Sequence, residues 1–88
     1  MTTYVVEVSG RVATASASCA FADAAFDTLV ERVDHPVGVY SGKVVVLYAC
    51  DAEITSKGVR LSTKKELRRH KGKTSWTDEE LLKHFSKP

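Results

Sequence analysis

The chain is poor in the residues from which small reactive sites are built. Two cysteines, three histidines and one tryptophan are spread over 88 residues. Cys19, Cys50, His35, His70 and His84 never stand at the close spacing of a zinc ribbon or finger, so no local metal-binding unit is expected. No glycine-rich phosphate loop, nucleophile elbow or metalloprotease helix occurs, and no cofactor is expected. No stretch approaches the roughly 18 apolar residues of a membrane-spanning helix. The opening Met1-Thr2-Thr3-Tyr4 lacks a basic and an apolar signal region, which predicts a cytoplasmic protein with two reduced thiols.

What remains is enough for one small domain, and a large substrate cavity would compete with its core for volume. The sequence predicts an α+β fold. A small antiparallel sheet is centred on Val44–Cys50, seven consecutive apolar residues that read as a strand covered on both faces. Thr3 to Thr14 alternates with period two and reads as a half-buried strand with a bend at Gly10. One main amphipathic helix spans 19–34. Ala22, Ala25, Phe26, Leu29, Val30 and Val33 fall on one side, Asp23, Asp27, Glu31 and Asp34 on the other; Ser18 caps it and Pro36 ends it.

Val37–Tyr40 and Lys43–Cys50 flank Ser41-Gly42 as a predicted hairpin, and a second hairpin turns at Ser56-Lys57-Gly58. Residues 1–61 thus form a strand–helix–hairpin body, and 62–88 a basic, helical C-terminal segment. Two short helices are expected there. Thr63-Lys64-Lys65-Glu66 has the capping-box pattern and runs to Gly72. Thr77-Asp78-Glu79-Glu80 has it too, with Trp76 placed to staple onto Leu81.

Charge is unevenly placed. Residues 1–56 hold three basic and seven acidic residues, a net of −4; residues 57–88 hold ten and four, a net of +6. Within 57–73, Lys57, Arg60, Lys64, Lys65, Arg68, Arg69, Lys71 and Lys73 face only Glu66. As a helix over 64–71, with Lys64, Arg68 and Lys71 on one ridge, Lys65 and Arg69 on another and Leu67 its single apolar residue, this segment would be marginal alone and would lean on a partner. Phosphate backbones suit it, because each neutralised phosphate releases counterions without reading sequence. Interleaved aromatics are missing, which argues against stacking of single-stranded bases. The acidic helix side reads as solvated surface or as a docking face for a basic partner.

Trp76-Thr77-Asp78-Glu79-Glu80-Leu81-Leu82 resembles the opening of a Myb or SANT repeat over those seven residues. In layout the chain resembles the small phage proteins that act on host machinery, anti-CRISPR proteins among them: a compact strand–helix–hairpin body, no catalytic set and a charged flank. That resemblance implies an inhibitor that occupies a surface of a host nucleic-acid-handling protein or nucleoprotein complex, contacting RNA or DNA backbone where it is exposed. The alternatives are a free-standing nucleic-acid-binding accessory protein and an enzyme using Cys19 or Cys50, the former near a helix N-terminus.

Overall fold

The computed structural model describes residues 2–85, and for 52–55 and 59–63 the backbone alone. Its elements are β1 (Thr2–Val8), β2 (Arg11–Ser16), α1 (Cys19–Val33), β3 (Val44–Thr55), β4 (Gly58–Lys71) and α2 (Asp78–Phe85). The four strands form one sheet in the order β2-β1-β3-β4, every neighbouring pair antiparallel. This is a small α+β fold with two helices. Among the described residues no helix is long and apolar enough to cross a membrane.

β3 holds the interior position its sequence demands. Val45 and Leu47 are buried on one face and Val46 and Cys50 on the other. On the first face Val45 and Leu47 join Val6 and Val8 of β1 and Ala22, Phe26, Leu29 and Val33 of α1 in one buried cluster. Removing each large side chain of that set from water contributes about 1.5–3 kcal/mol before conformational entropy is subtracted. The Ser18 hydroxyl accepts the Phe21 amide at 3.2 Å, the cap expected there.

The structure corrects three expectations. The alternating stretch from Thr3 to Thr14 is two strands, not one. Ser9 and Gly10 form a two-residue turn with φ of 49° and 83°, the left-handed conformation that lets a tight hairpin follow strand twist. The period-two alternation of the sequence continues across this turn, but the faces do not: Val8 stands opposite Arg11 and Val12 opposite Glu7, so Val8 and Val12 lie on opposite faces of the sheet. Residues 37–40 form no strand. The loop folds back instead: the Gly42 amide donates to the Val33 carbonyl at 2.9 Å and the Lys43 amide to Tyr40 at 3.0 Å, so its polar groups are satisfied without a strand partner.

The third correction concerns the basic run. Residues 64–71 are not a helix; they continue the second hairpin, which does turn between Thr55 and Gly58, into a fourteen-residue strand. Without β4, one edge of the apolar β3 would lie unpaired, and closing that ladder outweighs a local preference for helix. Two register shifts reconcile the fourteen residues of β4 with the twelve of β3. The β3–β4 pairing extends from Val44↔Lys71 to Thr55↔Gly58, whereas β1 reaches only Asp51. The hairpin therefore projects beyond the body, and the molecule measures 54 × 20 × 20 Å.

α2 is the C-terminal helix the sequence indicates. The Glu80 amide donates to the Thr77 hydroxyl at 3.3 Å and the Thr77 amide to the Glu80 carboxylate at 3.2 Å, closing a capping box. The Trp76 indole donates to the Asp34 carbonyl at 3.1 Å, tying this segment to the end of α1.

Candidate interaction surface on the basic edge strand

β4 is the outer strand of the sheet, and Lys64 to Arg69 and Lys71 are all exposed. Strand alternation, not helical ridges, sorts its charges. Arg68 and His70 stand opposite Leu47 and Val45 and so lie on the α1 side; Arg69 and Lys71 stand opposite Val46 and Val44 on the other. Leu67 is the extra residue of one bulge. Its insertion flips parity, so Glu66 and Arg69, three apart, share a face and bond at 2.8 Å.

The acidic side of α1 is Arg68's partner. Its guanidinium donates to Asp23 at 3.2 Å and Asp27 at 3.0 Å, two carboxylates brought together by their four-residue spacing on the helix. The same group lies 4.3 Å from the centre of the Phe26 ring. One step along, the His70 Nε2–H faces both Asp34 oxygens at 2.9 and 3.0 Å, and the Lys73 backbone amide donates to Asp34 at 3.0 Å. The two halves of the charge asymmetry thus meet each other inside the molecule.

Lys64 works on the opposite face. Its ammonium donates to the Glu7 carboxylate at 2.5 Å and lies 4.4 Å over the Tyr48 ring. Glu7 is the one buried charged residue among those described, and its lysine is what makes that burial tolerable. The hydrogen bond to Glu7 holds Lys64 above its ordinary pKa. Lys73 pairs with Glu80 of α2. Of the eight basic residues singled out in the sequence, Lys64, Arg68, Arg69 and Lys73 are therefore matched internally. Lys57 occupies the exposed hairpin turn, and the Arg60 side chain lies outside the described residues. Lys65 and Lys71 are exposed with no carboxylate in ion-pair range among the described residues.

This pairing changes the field. Lys64 to Lys71 carry five basic residues and one acidic, a net of +4; adding Glu7, Asp23 and Asp27 that face them leaves +1. Compared with known proteins, the chain matches no protein family, no curated protein and no solved structure. The residue that sequence reading passes over is Glu7; the acids of α1 it reads as solvated or as a docking face, and the basic partner they face is this chain's own edge strand. The available signal was the shared parity of Arg68 and His70, which becomes visible only once the run is read as a strand.

Among the described residues no three His, Cys, Asp or Glu side chains converge as a metal-binding group. Cys19 is exposed and its thiol meets a carboxylate, Asp23, at 3.9 Å. Cys50 is buried, and burial pushes its thiol above the ordinary range. A thiol reagent such as dithionitrobenzoate should consume one sulfhydryl at once in the native protein and the second only with denaturant. Because the folded state keeps the Cys50 proton where the unfolded chain releases it, that stabilisation is complete below about pH 8.5 and declines as pH rises further. Immediate reaction of both thiols would contradict the burial of Cys50.

Proposed function

We propose that this chain is a non-enzymatic binding protein that docks its β4 edge on the anionic face of a nucleic-acid-handling protein or nucleoprotein complex and blocks or modulates it. In this reading α1 is the main amphipathic helix backing the sheet, and its acids hold the edge strand in place. The observation that carries the proposal is the pair of cations that have no ion-pair partner among the described residues on an exposed edge strand: Lys65 on one face and Lys71 on the other. A strand fixes the backbone spacing of these charges, so only their side chains remain to be ordered when they meet phosphate or carboxylate. The internally matched Lys64 and Arg68 position the strand and are not part of the contact set.

The test uses the chain immobilised in bacterial lysate with and without nuclease, alongside heparin and labelled duplex DNA as polyanion probes. Wild type should retain a protein complex after nuclease and leave heparin at moderate salt. Lys65→Gln/Lys71→Gln should lose at least about tenfold in capture and elute earlier from heparin, since two fewer cations contact the anion. Undiminished capture by the double variant contradicts the proposal. Tight, salt-sensitive binding to the bare duplex with no protein captured replaces it by the free-standing nucleic-acid-binding reading.

A further inference from the structure

The basic residues of the acidic half, Arg11, Arg32 and Lys43, are three in number and come from different elements. All three line a set of contiguous grooves that meet at Tyr40, between β2, α1 and the 37–43 loop. None makes an ion pair among the described residues. Three large apolar side chains lie open along these grooves: Val39 is 80% exposed, Phe21 61% and Val12 60%. The acidic residue among the linings is Glu31. An apolar trough rimmed by three unmatched cations fits an amphipathic helix with carboxylates beside its apolar stripe.

The chain carries such a helix. α2 has no buried residue; Leu82 is 64% exposed and Phe85 57%, and with Leu81 they form one stripe. Its first turn supplies Asp78 and Glu79, which make no ion pair among the described residues, while Glu80 is held by Lys73. α2 cannot reach its own groove. Trp76 fixes its start to Asp34, and His84 packs edge-on against His35 at 4.6 Å. Yet the stripe and the groove flank the same end of α1: Glu31 and His35 line both the groove and the hollow beneath α2. A two-fold axis near His35 would place each copy's stripe over the other's groove, the isologous arrangement that closes on itself.

We propose that two copies of this chain pair reciprocally, the α2 stripe of each seated in the Tyr40 groove of the other. This goes beyond the binding function proposed above and stands on different residues. Sedimentation velocity on the full chain from about 1 μM to about 1 mM should show a monomer–dimer equilibrium. Leu82→Asp and Val39→Asp should each weaken dimerisation at least tenfold. Both positions are exposed, so circular dichroism and melting temperature, measured at a concentration where wild type is monomeric, should stay at wild-type values. Arg32→Glu should weaken the dimer, and mixing it with Glu79→Lys should restore association in a mixed dimer. A chain that stays monomeric throughout the range overturns the proposal, even if it binds a foreign acidic helix. So does a dimer that none of these substitutions moves.

Discussion

Gly72→Ala should destabilise the protein by about 3 kcal/mol, near the upper end of what an added methyl group costs in a packed interior. Three backbone segments converge on this residue: the end of α1, the approach to β3 and the exit from β4. A Cβ placed on Gly72 would lie 2.6 Å from the Val33 carbonyl oxygen, 2.7 Å from that of Lys43 and 2.9 Å from the Gly42 carbonyl carbon. These are backbone atoms, fixed by hydrogen bonds that cross the same point. The Gly72 amide donates to Lys43 at 2.8 Å and the Gly42 amide to Val33 at 2.9 Å. No flexible side chain is available to move aside. Gly38 is a useful contrast: a Cβ there meets nothing within 4 Å, and the cost comes from its φ of 121° alone. In urea unfolding, Gly72→Ala should lower the midpoint far more than Gly38→Ala. Equal, small effects would show that the three segments do not meet as closely as described.

The second large effect is expected at Phe26. It is 2% exposed and belongs to the cluster that joins α1 to β1 and β3. Truncation to alanine should cost about 3–5 kcal/mol, the transfer of the ring plus the cavity it leaves. The ring also supports the Arg68 guanidinium at 4.3 Å, so the loss reaches the edge strand. A double-mutant cycle separates the two contributions. Phe26→Leu keeps most of the packing and removes the aromatic face; combined with Arg68→Gln it should show a coupling of roughly 0.5–1 kcal/mol. Zero coupling would mean that Arg68 is held by Asp23 and Asp27 alone.

The parts of this fold legible in the sequence are those in which local signal and tertiary demand agree. Val44–Cys50 is apolar on both faces and is buried on both. Ser18 and Thr77 each have a hydroxyl placed to accept an orphan amide, and both do. The basic run fails this test. Thr63, Glu66 and a series of good helix formers specify a helix locally, while the unpaired edge of β3 specifies a strand, and the long-range ladder prevails. A residue-by-residue reading has no access to that edge. The hairpin at Ser9-Gly10 is hidden for a different reason: the apolar alternation of the sequence continues across the turn even though Val8 and Val12 lie on opposite faces. The candidate site suffered most. Reading 64–71 as a helix distributes Lys64, Arg68 and Lys71 along one ridge, whereas the strand sends Arg68 to the acids of α1, Lys64 to Glu7 and Lys71 to solvent.

That sorting of charges is the centre of the account, and one paired measurement addresses it directly: melting temperature and heparin elution for Arg68→Gln beside Lys65→Gln/Lys71→Gln. Arg68→Gln should lower the melting temperature by several degrees, about what a loss of roughly 1 kcal/mol gives in a domain of this size, with elution close to wild type. The double variant should melt as wild type does and elute at clearly lower salt. The reverse pattern, or equal effects of both on both readouts, would contradict the division of the edge strand into charges that hold the fold and charges that face a partner.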